Sequence, residues 1–158
     1  INIYGVEVSA QEKFTLSSTI NMPVKFAYTY TRSEFQNAFQ SDLSLWGKIA
    51  VGDELPYLPE HQASLTLGLE GENWQANLII KYIDNMREAA GTNTELSGYM
   101  TDVLLQLDFS SAYQFSKQLK IYGKVDNLTD ETVIVSRRPF GARPGKPRQV
   151  IVGVKYTF

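Results

Sequence analysis

The stretch that most constrains this chain is its last one, residues 148–158. Read alternately, it sets Val150, Val152, Val154, Tyr156 and Phe158 on one side and Gln149, Ile151, Gly153, Lys155 and Thr157 on the other. Successive side chains of a strand point to opposite faces, so one face is unbroken apolar surface that ends in aromatics. In water a chain end is ordinarily solvated and frayed. An aromatic end suits a lipid boundary better, with the valines against acyl chains and Tyr156 and Phe158 in an aromatic girdle.

The same alternation recurs upstream and predicts six further strands. Their apolar faces carry Tyr4, Val6, Val8 and Ala10, then Val24, Phe26, Tyr28 and Tyr30, then Ala63, Leu65, Leu67 and Leu69 in a strand that His61 opens. Trp74, Ala76, Leu78, Ile80 and Tyr82 follow, then Val103, Leu105, Leu107 and Phe109, then Leu119, Ile121, Gly123 and Val125. The opposite faces hold Glu7, Lys25, Gln62, Glu70, Lys81, Asp102, Asp108, Lys124 and Lys155, as expected of a wall with a wet interior. Asn21 and Pro23 read as turn formers of a first short connection, and residues 71–73 and 114–118 as the other two. Between them come long connections beginning near Ser33, Asp84 and Asn127. A helical turn over residues 42–48 is expected inside the first. Short turns thus gather at one end of the sheet and long loops at the other, which is the anatomy of an outer-membrane barrel. A strand needs roughly 9 to 11 residues to cross a bilayer at a tilt, and these runs fit.

The totals exclude several classes. No apolar run reaches the length of about 18 residues that a membrane helix needs, and the strand-like start at Ile1 does not read as a signal peptide. There is no Cys, hence no disulfide scaffold or thiolate metal site, and the formal charge of −2 gives no nucleic-acid footprint. The lone His61 and the carboxylates Glu70, Asp102 and Asp108 read as a rim residue and solvated lumen charges. No Ser-His-Asp set, phosphate loop or converging metal-ligand group is present. No catalytic residue, resident metal or cofactor is therefore expected.

The sharpest chemical feature is the cluster Arg137, Arg138, Arg143, Lys146 and Arg148, set among Pro139, Gly141, Pro144, Gly145 and Pro147. Guanidinium forks match carboxylates, so Arg137, Arg138 and Arg143 are candidates for capturing an anionic chelate. The same residues could instead pin the loop to the barrel rim. Trp46 could stack on an aryl ligand or pack inside its loop. Trp74, beside a short turn, fits an interfacial anchor.

These residues also carry a resemblance. The run Asp126-Asn127-Leu128-Thr129-Asp130-Glu131, residues 137–148 and residues 152–158 resemble the C-terminus of TonB-dependent outer-membrane receptors, nearest in flavour to ferric-citrate and ferric-siderophore receptors. Gly5-Val6-Glu7, Tyr28-Thr29-Tyr30-Thr31 with Glu34-Phe35, and Leu55-Pro56-Tyr57 through Pro59-Glu60-His61 fit the same family in order. The resemblance implies an all-β transmembrane antiparallel barrel segment: residues 1–158 would be about seven C-terminal strands of a roughly 22-stranded, plugged barrel, with periplasmic short turns and extracellular long loops. It implies a receptor, not an enzyme, in the outer membrane of a Gram-negative bacterium. Its partners would be a ferric-siderophore-type ligand, outer-membrane lipid, the barrel assembly machinery and TonB-ExbB-ExbD, the last through an N-terminal region that this sequence lacks. Val150, Val152, Val154, Tyr156 and Phe158 would form the assembly signature. The competing reading is a soluble β-barrel or sandwich that binds a small ligand or glycan and hides its apolar face in a core.

Overall fold

The computed structural model of the protein describes residues 1–43, 46–92 and 100–158, and among them the regular elements are strands. Seven make one antiparallel sheet in the order β1 (Asn2–Thr15), β2 (Asn21–Glu34), β5 (His61–Glu70), β6 (Trp74–Ile83), β7 (Leu104–Gln114), β8 (Leu119–Asp126) and β11 (Gln149–Tyr156). The intervening β3 (Phe39–Gln40) and β4 (Lys48–Ile49) form a small ladder in the first long loop, and β9 (Ile134–Ser136) and β10 (Arg143–Pro144) another in the third. Every pairing in the large sheet joins sequence neighbours within that order, so it is a simple meander.

Register keeps the two faces distinct across the whole sheet. Val6 pairs with Tyr30, Phe26 with Leu65, Leu67 with Leu78, Leu78 with Phe109, Phe109 with Val125 and Val125 with Val150. The other face pairs Glu7 with Thr29, Ser64 with Lys81, Lys81 with Gln106 and Ile151 with Lys124. A slip of one residue at any ladder would bring polar side chains into the apolar band. None occurs. The band is uncovered: Val150, Val152 and Val154 are 66%, 74% and 61% exposed. The buried apolar side chains among the described residues are Phe35 and Ile49, and both lie in the first long loop. The sheet has no aqueous-type core, which counts against the sandwich reading. Aromatics edge the band at both ends, with Phe14, Trp74, Tyr113, Phe115, Tyr156 and Phe158 by the short turns and Tyr4, Tyr28, Tyr30, His61 and Tyr82 by the long loops.

The first hairpin corrects one expectation. The turn is residues 16–20, closed by Leu16 and Ser17 N–H groups on the Ile20 carbonyl, while Asn21 and Pro23 already belong to β2. A proline cannot donate to a ladder, and the β2–β5 pairing accordingly skips from Asn21–Glu70 to Val24–Leu67. Opposite it stands Gly68, where an added Cβ would lie 2.6 Å from Pro23 Cγ. The glycine leaves room for the ring. The first two strands also outrun the expected span: at 14 residues each, they extend past β5 on the long-loop side. Residues 44–45, within the expected helical turn, and 93–99, within the second long connection, lie outside the described residues. What is described of the first brackets that turn between β3 and β4, with Trp46 and Gly47 N–H groups on the Leu43 carbonyl.

Candidate functional site

Three long connections, residues 35–60, 84–103 and 127–148, meet at one end of the sheet. The first builds a small core of its own. Phe35 packs edge-on to Phe39 and Trp46, with centroids 5.7 and 5.6 Å away. Its backbone is held on both sides: the Phe35 N–H donates to the Asp53 carbonyl (2.8 Å) and the Phe35 carbonyl accepts from Gly52 N–H (2.9 Å), while the Asp53 carboxylate accepts from Ala50 N–H (2.7 Å). Buried Ser33 accepts from Leu55 N–H through its hydroxyl (3.0 Å).

The loops are then joined to one another. Between first and second, the Glu54 N–H donates to the Gly91 carbonyl, Tyr57 N–H to the Arg87 carbonyl, and Arg87 Nε to Glu54 Oε2 at 2.8 Å. Between second and third, Asp102 and Ile134 exchange bonds: Asp102 N–H to the Ile134 carbonyl (2.9 Å) and Ile134 N–H to Asp102 Oδ2 (2.6 Å). Ser136 Oγ reaches Tyr57 Oη at 3.3 Å and links third to first.

A buried polar hub roots the third loop in the wall. Asp108 accepts from Lys81 Nζ (2.8 Å), Gln106 Nε2 (2.7 Å) and the backbone N–H of Asn127 (2.9 Å). Asn127 takes the left-handed conformation (φ 51°), which Asn tolerates better than most residues. From there its amide donates to the carbonyls of Glu131 and Lys146 and accepts from Glu131 N–H, tying both arms of the loop together. Asp126 pairs with Lys124 at 2.6 Å and with Lys146. At the loop surface Arg148 hydrogen-bonds Asp130 and holds its carboxyl below the usual Asp range, while Asp130 in turn raises the guanidinium.

The expectation that Asp108 is a solvated lumen charge is therefore wrong: it is 2% exposed. Alternation gave its face correctly, but its partners Lys81 and Asn127 lie far away in sequence, and only the sheet brings them together. Glu70, half-buried and 2.8 Å from Lys13, and Asp102, exposed, behave closer to expectation. His61 sits on the apolar face at the rim, its Nδ1 2.7 Å from Tyr28 Oη and its ring against Tyr30.

The four ligand candidates have distinct surroundings. Arg137 is half-buried; one terminal nitrogen donates to the Met100 carbonyl and stands 3.5 Å from Glu88 Oε1. Arg138 follows it, and the peptide bond from Arg138 to Pro139 is cis. Arg143 is exposed in β10, where its backbone pairs with Ser136. Trp46 packs on Phe35 and Phe39 in the first loop. Of these third-loop arginines Arg143 lies in the small β9–β10 ladder, Arg137 and Arg138 follow directly on β9, and Trp46 belongs to a separate cluster. Sequence reasoning missed Glu88, 2% exposed, and the Asp126–Asn127 hub. The Asp-Asn step before a loop was the available signal for the hub; Glu88 had none. Among the described residues no group of three His, Cys, Asp or Glu could hold a metal ion. The chemistry on offer is recognition of anions by guanidinium groups.

Comparison with known proteins gives a consistent context. A family model described as TonB dependent receptor-like, beta-barrel matches residues 1–128. No curated protein sequence matches. Among solved structures, the outer membrane transporter YddB from Escherichia coli superposes with a TM-score of 0.70 at 12% identity, over 99% of this chain and 25% of that one. The ferric yersiniabactin uptake receptor FyuA from Yersinia pestis gives 0.68 at 17% identity, over 99% and 24%. The copper transporter OprC gives 0.63 at 17% identity, over 99% and 23%. The chain spans about a quarter of the length of these proteins.

Proposed function

The chain belongs to the TonB-dependent receptor β-barrel family, and from that membership we propose that it is the C-terminal part of the barrel of a receptor that imports a ferric chelate. Receptors of this family are transporters of the Gram-negative outer membrane, and this chain is part of such a membrane wall. On this reading residues 1–158 supply the last strands. Polypeptide outside the chain supplies the remaining wall, the plug and the contact with TonB-ExbB-ExbD. The barrel assembly machinery reads the terminal strand through Val150, Val152, Val154, Tyr156 and Phe158.

The observation that carries the ferric-chelate reading is the concentration of Arg137, Arg138 and Arg143 on one outer loop of a chain whose net charge is −2. Guanidinium forks bind carboxylate or catecholate oxygens with two aligned, charge-assisted bonds. Capture outside and energised passage need no covalent step, so the arginines act by attraction and orientation, and Trp46 adds an aromatic face at the same end. Two similar structures, FyuA and the ferric-catecholate import receptor Fiu, carry iron-chelate names and support the reading; OprC, named for copper, marks its principal competitor.

Uptake of radio-iron as ferric citrate, a ferric tris-catecholate and a neutral ferric trihydroxamate tests it in cells expressing the receptor under iron limitation. Arg137→Ala with Arg138→Ala should weaken uptake of the anionic chelate by about tenfold or more, the equivalent of one lost charge-assisted contact. Unchanged uptake of every anionic chelate would overturn the assignment of these arginines.

A further inference from the structure

Arg137 is already bound to an anion, and that anion belongs to the protein. Glu88 comes from the second loop, is 2% exposed, and stands with Oε1 3.5 Å from the Arg137 guanidinium. Among the described residues that oxygen accepts no hydrogen bond. The same guanidinium nitrogen donates to the Met100 carbonyl, twelve residues beyond Glu88 in the same loop. We infer that Glu88 is an internal stand-in for the ligand's acid group: it holds Arg137 in reserve, competes with an anionic chelate for the guanidinium, and makes capture and separation of the second and third loops one event.

The inference deepens the ferric-chelate reading and rests on it. Its physical basis is the mismatch of the pair. A charge-assisted N–H···O bond is normally about 2.7–2.9 Å long and, to a carboxylate, often two-pronged. The Arg137–Glu88 contact is longer than that and single. It neutralises charge without the directional bond a guanidinium can make, so a ligand presenting two oxygens in the plane of the fork displaces it. A weakly charged ligand does not.

Displacement has a structural consequence. A carboxylate as buried as that of Glu88 is costly to leave without its counter-charge, so once Arg137 turns to the ligand, the second loop must move and let water reach Glu88. The other bonds between these loops lie nearby: Asp102 and Ile134 exchange two hydrogen bonds, and Arg87, next to Glu88, pairs with Glu54 of the first loop. The shift therefore loads the contacts that hold all three loops together.

The test uses the purified full receptor in detergent with three probes, ferric citrate, an anionic ferric tris-catecholate and a neutral ferric trihydroxamate, each titrated against wild type, Glu88→Gln, Glu88→Asp, Arg137→Ala and the Arg137→Ala, Glu88→Gln double variant. Glu88→Gln keeps the shape and removes the charge, and should tighten the anionic probe by about fivefold or more. Glu88→Asp retracts the carboxylate and should give a smaller gain, which covers the case in which the Gln variant does not fold. The neutral probe should not change, whereas general loosening of the loops would move all probes alike. With Arg137→Ala the anionic probe should be lost and Glu88→Gln should restore nothing. If Arg137→Ala loses the anionic probe but neither Glu88 variant gains, the stand-in role is overturned and the arginine assignment survives. If Arg137→Ala binds like wild type, or no anionic probe binds any variant, both fall.

Discussion

The wall and the loop end of this chain use similar residues under opposite rules. In the wall, Val150, Val152 and Val154 are exposed and the charges of the other face are set among polar neighbours. At the loop end, Phe35 and Ile49 are buried and so are Glu88, Asp126 and Asn127. The difference lies in the solvent each region meets. Strands in lipid must satisfy every backbone group by pairing and are free to expose apolar side chains. Loops in water must bury apolar side chains and pair whatever charge goes in with them. The contrast explains why a chain with ordinary composition has its aqueous-type core outside the membrane.

The largest expected effect breaks the loop side. Phe35→Ala removes a fully buried ring, a change that typically costs about 3–5 kcal/mol. Because the ring belongs to the loop's own core, the loss should be local. Hydrogen exchange should quicken at the amides of Phe35, Gly52 and Asp53, which bond within this loop, and stay slow in the β5–β6 ladder. Equal quickening in both would mean that loop and wall form one cooperative unit.

The next prediction breaks the wall side. Val152→Arg puts a charge near the middle of β11 on the apolar face and should cost about 2–4 kcal/mol in a bilayer. Ile151→Arg, one residue away on the polar face beside Lys124, should cost well under about 1 kcal/mol. Denaturant unfolding from lipid vesicles compares the two, and equal costs would remove the distinction between the faces. A smaller effect should follow Asn127→Ala, which deletes three side-chain hydrogen bonds at a left-handed position. A loss of about 2 kcal/mol, read as faster exchange at Glu131 and Gly145, would sharpen the boundary where loop joins wall.

Much of the wall was legible because its rule is local: period two, with turn residues at each end. Even there Pro23 misled, since a proline in a strand makes sense only once Gly68 is seen across from it. The loop end was legible in composition but not in contacts. The pairs that organise it, Glu88 with Arg137, Asp108 with Asn127 and Asp102 with Ile134, join segments that no short-range pattern connects. The arginines stood out because they are clustered. Glu88 did not, being one acid among many.

The smallest expected effect is a pH dependence. Asp130 is held below its usual range chiefly by the hydrogen bond from Arg148. A depressed folded-state value means that the stabilisation is present above the ordinary Asp range and is lost as pH falls through the lowered one. The outer arm of the third loop should therefore loosen only below about pH 4, and weakly, because the pair is exposed and screened. Exchange near Asp130 with and without Asp130→Asn would show it, and no difference between the two would mean that the pair contributes nothing there.

The comparison is tested most directly by the chain's two tryptophans, one in each region. Trp74 lies on the apolar face at the short-turn end, and Trp46 packs inside the first long loop. With the receptor in vesicles of brominated phospholipid and every tryptophan outside residues 1–158 replaced by Phe, the Trp46→Phe protein, which keeps Trp74, should be strongly quenched relative to ordinary lipid. The Trp74→Phe protein, which keeps Trp46, should keep its fluorescence. Equal quenching of the two, or a quenched Trp46 beside a bright Trp74, would contradict a wall in lipid carrying a loop end in water.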